Sequence, residues 1–215
     1  MQNSKKMPLD KRLATGFLVN LCRLLTGIRA RWLAPLPEDQ VRIYYANHSS
    51  HLDGMVIWAS MPAHLRQRVR PVAAADYWLT SNIRRYVATR LFNSVLVKRR
   101  ASAEADAADN PLAQMSEPLR KGESLIIFPE GTRGDGEAIV RFKSGIWHLS
   151  RLYPQAELVP VYLENLNRVL PKGSRLIVPI LCSATFGKPV APCGEKEEKQ
   201  AFLQRVKEEL EALKP

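Results

Sequence analysis

Short apolar runs bounded by turn residues recur along this 215-residue chain, and between them lie stretches whose apolar residues return every three or four positions. Runs of the first kind, near residues 41–46, 70–75, 94–98, 124–128, 158–163 and 175–181, predict strands. Stretches of the second kind, near 52–61, 78–91, 111–121, 143–153 and 196–213, predict helices. Strands that are apolar throughout point to a sheet covered on both faces, and strand–helix alternation points to an α/β fold. The expected architecture is one domain with a largely buried mixed sheet flanked by helices. The segment from Arg99 to Asn110, rich in Ala, Asp and Glu, reads as a loop or a helix start.

The first element has a different character. Over residues 10–34, Leu13, Phe17, Leu21, Leu24, Leu25, Ile28 and Trp32 share one helical face, with Arg12, Asn20, Arg23 and Thr26 opposite. Pro35 and Pro37 end it. Residues 1–36 are therefore expected to form an N-terminal amphipathic, membrane-associating helix ahead of a domain spanning 37–215. A central arginine costs about 2.5–3.5 kcal/mol on insertion scales, so lying in the interface fits better than spanning. Packing of the same stripe on the domain core satisfies the pattern equally. Asn20 and Arg23 also interrupt the apolar stretch that a cleaved leader would need.

Charge changes the picture more than composition does. Formal net charge is +11, and residues 1–100 hold 17 Lys and Arg against 5 Asp and Glu, leaving 15 against 16 for the remainder. A basic N-terminal half draws anions: nucleic acid, anionic lipid, phosphorylated substrates or an acidic carrier protein. Cys22, Cys182 and Cys193 are odd in number and widely spaced, which predicts neither a disulfide framework nor a zinc site and fits a reducing, cytoplasmic setting.

Candidate chemistry begins at His48-Ser49-Ser50-His51-Leu52-Asp53, between a predicted strand and a predicted helix. With Ser50 as N-cap, Asp53 is the third helical residue, where the helix dipole favours its ionised form within reach of the imidazole. A neutral imidazole oriented by a carboxylate is a general base. The same residues also satisfy a capping box, which needs no chemistry. His48, His51 and Asp53 loosely suggest a metal cluster, yet the only other histidines, His64 and His148, form no ligand-like pair, so no metal is expected. Nucleic acid is not expected either, because no recognised binding motif accompanies the charge.

A second motif, Phe128-Pro129-Glu130-Gly131-Thr132-Arg133, ends the run Ser124 to Phe128. Pro129 stops the ladder, Gly131 lets the backbone approach a ligand, and Thr132 and Arg133 offer donors suited to phosphate. Glu130 cannot itself bind phosphate well, and its expected role is to orient Arg133 or to hydrogen-bond a substrate hydroxyl. Together the two hexads, with Val97-Lys98-Arg99 between them and Leu158-Val159-Pro160-Val161 after them, resemble the four motif blocks of the glycerolipid acyltransferases, most closely those acting on 1-acylglycerol-3-phosphate. The likeness covers residues 40–165 in the family's order, and Phe142-Lys143-Ser144-Gly145 resembles the segment after the third block.

That resemblance implies direct transfer of a fatty acyl group from a thioester, acyl-CoA or acyl carrier protein, to the hydroxyl of a lysophospholipid. It assigns catalysis to His48 and Asp53 and the acceptor phosphate to Glu130, Gly131, Thr132 and Arg133, with Lys98 and Arg99 extending the positive pocket. It implies no cofactor beyond the donor, and the enzyme is expected at the cytoplasmic face of the cell membrane. Arg66, Arg68, Arg70, Arg84, Arg85 and Arg90 are candidates for donor phosphates or an acidic carrier surface. The second block departs from the family, since Asn93 and Ser94 stand where a glycine commonly opens it. Acceptors other than lysophosphatidate, including amino-lipids, stay open.

Overall fold

A computed structural model describes residues 8–36, 39–98, 110–169 and 181–215. Among them seven strands form a single sheet: β1 (Arg29–Trp32), β2 (Arg42–Ala46), β3 (Val69–Ala74), β4 (Val95–Val97), β5 (Ser124–Ile127), β6 (Glu157–Glu164) and β7 (Ser183–Phe186). Their order is β1-β7-β6-β2-β5-β3-β4. All neighbours run parallel except β6 and β7, so the sheet is mixed.

Alternation along the central strands divides two cores. In β2, Tyr44 and Ala46 face one side and Ile43 and Tyr45 the other; in β5, Ile126 is set against Leu125 and Ile127. The first face is covered by α1 (Leu9–Thr26) and α2 (Asp53–Ser60), through Val19, Cys22, Val56, Ile57 and Trp58. The second is covered by α6 (Pro111–Arg120), α7 (Gly145–Leu152) and α9 (Lys199–Glu211), through Leu119, Ile146, Leu149, Phe202, Val206 and Leu210. With both faces covered, all five residues of β2 and all four of β5 are buried, which is why these strands read as largely apolar runs, with Arg42 and Ser124 the exceptions.

Three expectations need correction. The first helix stops at Gly27, whose φ of 53° closes the last turn in the left-handed conformation. Residues 29–32, expected to be helical, pair with β7, so the sheet begins inside the segment 1–36 that the pattern sets apart. The stretch 78–91 is not one helix: α4 (Ala75–Trp78) ends, Ser81 caps α5 (Asn82–Tyr86), and a π-helical turn, Val87–Leu91, follows. Ser81 Oγ accepts from Arg84 N, a local bond that restarts the helix there. The short helices α3 (Ala63–Arg68) and α8 (Leu166–Val169) complete the set. The strand expected at 175–181 lies almost wholly outside the described residues.

The apolar stripe of α1 also divides. Val19, Cys22 and Thr26 are buried, and Trp32 beyond the helix stacks on Phe186 with ring centroids 3.8 Å apart. Leu9, Leu13, Phe17 and Leu24 are instead 69, 66, 70 and 79% exposed, so a row of large apolar side chains points away from the core. No helix among the described residues is long and apolar enough to cross a membrane.

Candidate active site

Because β2 and β5 are parallel neighbours, the residues that follow them emerge side by side at the carboxyl edge of the sheet. This is where open α/β sheets form their clefts. His48 follows β2, Phe128 to Arg133 follow β5, and Lys98 follows β4 two strands away. Strands 82 residues apart in sequence thus bring both hexads together.

His48 Nδ1 lies 2.8 Å from Asp53 Oδ2, and the same oxygen accepts from Ser49 N at 2.7 Å and Ser50 N at 2.8 Å. Asp53 is fully buried and opens α2, with two backbone donors aimed at one of its oxygens. An acceptor that takes three donors on one oxygen holds the imidazole proton on Nδ1 and leaves Nε2 as the base. Asp53 is therefore the first helical residue and not the third. Ser50 is not a side-chain cap for α2; its hydroxyl accepts only from Leu52 N, at 3.3 Å.

The imidazole is fixed from two further directions. Phe128 stacks on it, with centroids 4.3 Å apart and planes 22° from parallel. Its backbone is tied across the cleft: His48 N donates to Glu130 Oε1 at 2.7 Å, and Gly134 N donates to His48 O at 2.8 Å. Glu130 Oε2 accepts from Val140 N at 3.1 Å. Both Glu130 oxygens thus accept from backbone, and the side chain joins the two hexads as a buried clamp. Burial pushes its carboxyl above the usual range, opposed by those two backbone donors.

Gly131 adopts φ 71°, but the space beside it is not open. A Cβ there would lie 2.6 Å from Lys143 Nζ, so the glycine makes room for the Lys143 side chain as it crosses the motif. Lys143 N in turn donates to Pro129 O at 2.8 Å. Thr132 and Arg133 are exposed, and Arg133 shares a recess with His48 and His51. His51 stacks on Tyr77, with Arg84 over the other ring, and its pKa is lowered by burial and then by Arg133. Lys98 is exposed at the end of β4, and Arg99 lies outside the described residues. Among the described residues no three His, Cys, Asp or Glu side chains are grouped to hold a metal ion.

Beside His48 a cavity of about 190 Å³ runs between the ends of β3, β4 and β5 and α7, lined by Val72, Val97, Met115, Ile127, Phe128, Ile146 and Leu149, with Lys143 at its wall. An apolar slot ending at a base and a cation suits an acyl chain with its reacting carbon at the mouth. Sequence reasoning had no place for Phe128 or Lys143 in the site, though both stand in segments it singled out. A larger cavity, about 710 Å³, is elsewhere, beneath α1.

A family model described as Acyltransferase matches residues 28–164. The chain is 26% identical over 189 residues to 1-acyl-sn-glycerol-3-phosphate acyltransferase alpha of Ovis aries, covering 86% of this chain and 62% of that protein. It is 31% identical over 140 residues to lyso-ornithine lipid O-acyltransferase of Pseudomonas aeruginosa, covering 63% and 47%. The chain therefore spans less than two thirds of the length of these relatives. The crystal structure of a 1-acyl-sn-glycerophosphate (LPA) acyltransferase from Thermotoga maritima superposes with a TM-score of 0.65 at 20% identity, over 97% of this chain and 86% of that one, and shares its fold.

Proposed function

Because this chain belongs to the acyltransferase family, we propose that it moves a fatty acyl group from a thioester to the free hydroxyl of a lysophospholipid, lysophosphatidate before others. The observation that carries the reading is the His48–Asp53 pair held against Phe128 at the mouth of the apolar cavity. His48 Nε2 takes the proton of the acceptor hydroxyl as its oxygen attacks the thioester carbonyl. Asp53 stabilises the imidazolium that results. When the tetrahedral intermediate collapses, the C–S bond breaks and the imidazolium returns its proton to the thiolate. No covalent enzyme intermediate is required, and Ser49 and Ser50 serve Asp53 through their backbone.

Arg133, with Thr132, receives the acceptor phosphate; Lys143 and Lys98 add positive charge at the same edge. Acyl-CoA and acyl carrier protein both supply a suitable thioester. The exposed row Leu9, Leu13, Phe17 and Leu24 lies among lipid acyl chains, so the enzyme works as a peripheral protein on the cytoplasmic membrane face. The relative named for lyso-ornithine lipid supports a second reading, an amino-acid headgroup in place of the phosphate. Offering purified protein a panel of lysolipids with each donor, and identifying products by mass, tests both. Phosphatidate formation is the expected result; acylation of lyso-ornithine lipid alone selects the second reading, and no product from any pair refutes both.

A further inference from the structure

The cavity of about 710 Å³ shares no lining residue with the recesses around His48. It lies beneath α1, at the amino end of β3 and the far end of α2 from Asp53, and its wall carries four cations: Lys11, Arg12, Arg66 and Arg70. Arg70 is already matched, donating from Nε to Glu123 Oε2 at 2.8 Å. Lys11, Arg12 and Arg66 have no carboxylate partner among the described residues. Arg66 lies 5.5 Å above the Trp58 ring and donates to Met61 O at 2.5 Å and to Ala59 O at 3.4 Å. Lys11 is partly buried beside Arg70 and Arg90, and burial and those charges lower its pKa. A cavity of about 710 Å³ with three such cations holds a positive potential that no carboxylate among the described residues neutralises.

We infer that this cavity is a binding site for the phosphate headgroup of an anionic membrane phospholipid, separate from the site of acyl transfer. Its remaining wall mixes apolar residues, Pro8, Trp58, Ala63 and Leu91, with the uncharged polar Thr15, Gln67 and Asn93, so a glycerol backbone with its ester oxygens fits against it once the phosphate is held. The lipid source follows from α1. Lys11, Arg12 and Gly16 line the cavity while Leu9, Leu13 and Phe17 of the same helix are exposed, which puts the cations at headgroup depth when those side chains enter the acyl chains. A bound headgroup then pins α1 to the domain and holds the protein on anionic membranes. Binding is measured without acyl transfer, so this inference stands or falls apart from the proposed reaction.

Gly16 gives a probe that leaves every charge in place. A Cβ added there meets no heavy atom within 4 Å, so Gly16→Leu grows into the cavity, and leucine is the better helix former. Co-sedimentation is run with phosphatidylcholine vesicles with and without phosphatidylglycerol, and thermal melts with short-chain phosphatidylglycerol, inorganic phosphate and coenzyme A. Gly16→Leu is expected to melt no lower than the parent, to lose at least about tenfold in affinity for the anionic vesicles, and to lose the protection short-chain lipid gives. Lys11→Gln with Arg12→Gln loses about 25-fold, at about fivefold per cation near an anionic surface. Arg29→Gln with Arg31→Gln, on the exposed edge of β1, loses less. Equal losses from the two arginine-bearing pairs, with Gly16→Leu binding like the parent, would mean diffuse charge without a site. Protection by phosphate or coenzyme A as strong as that by lipid would overturn the lipid assignment.

Discussion

The carboxyl edge of the sheet and the outer face of α1 manage polarity in opposite ways. At His48 most polar groups have named partners: Asp53 Oδ2 takes three donors while its Oδ1 is buried without one, Glu130 takes two, and the imidazole is stacked and tied through its own backbone. On α1 four large apolar side chains stand in the open, and two of its cations, with Arg66 of α3, face a cavity without a carboxylate partner among the described residues. Preorganised donors suit a reaction whose charge must be met without delay. Unmatched charge beside exposed apolar surface suits a partner that is fluid and anionic. One region has its complement inside the fold; the other has its complement outside.

The sharpest break in that comparison removes the matched pair. His48→Ala and Asp53→Ala are each expected to lower kcat by about 10²–10⁴, the contribution of a general base. Groups that act as one unit lose nearly as much singly as together, so the double variant is expected to turn over little more slowly than His48→Ala. Steady-state kinetics with circular dichroism as a fold check reads the outcome. Near-normal turnover in either single variant would remove the pair from the mechanism.

Breaking the other region should leave chemistry untouched. Leu13→Glu with Phe17→Glu forfeits at least about 1.5 kcal/mol of apolar burial at each position, so vesicle affinity is expected to fall about a hundredfold or more. Activity on substrate dispersed in detergent should persist. These two positions are chosen because they are exposed; Ile28 and Trp32, in the same sequence stripe, pack against the core, and changing them tests folding instead. Loss of the detergent activity as well would place Leu13 and Phe17 in the fold after all.

That division of the stripe was not legible beforehand, for a physical reason. A 3.6-residue period places Ile28 and Trp32 in line with Leu21, and only the left-handed turn at Gly27, followed by pairing with a strand more than 150 residues away, takes them out of it. The motif-bearing strands were legible because parallel strands buried on both faces are apolar at most positions, so Val41 to Ala46, broken only at Arg42, and Ser124 to Phe128, polar only at Ser124, stood out. The hexads at their ends were legible as candidate chemistry because strand end, turn residue and charged side chain occur within six positions. Glu130 was readable as important and not as a clamp, since its partners are backbone N–H groups, which every non-proline residue carries. The Gly131–Lys143 contact escaped for a similar reason: eleven residues of intervening loop return a lysine to a space that only a missing Cβ leaves.

Arg133 sharpens the comparison, because it is the exposed member of the matched region. A charge-assisted bond to phosphate contributes about 1.5–3 kcal/mol, so Arg133→Ala is expected to raise the acceptor KM about ten- to a hundredfold while the donor KM stays near its parent value. Arg133→Lys should recover only part, keeping the charge and losing the planar fork. A raised donor KM beside an unchanged acceptor KM would exchange the two binding roles.

The smallest effect concerns the clamp. Burial sets Glu130's carboxyl above its ordinary value of 4.5 despite the His48 and Val140 donors. Below that value the folded and unfolded chains both hold the proton; between it and the raised value only the folded chain does. The unfolded chain then binds fewer protons, so the stability this group contributes is fully present below the ordinary value and is lost as pH rises through the raised one. Glu130→Gln cannot titrate and leaves one backbone N–H facing an amide NH2, at a cost of about 1–3 kcal/mol, which lowers Tm by a few degrees in a chain of this size. The gap in Tm between parent and variant, followed from acid toward neutral pH, is therefore expected to narrow. A gap that widens would mean that the two backbone hydrogen bonds outweigh burial and hold the Glu130 carboxyl below its ordinary value.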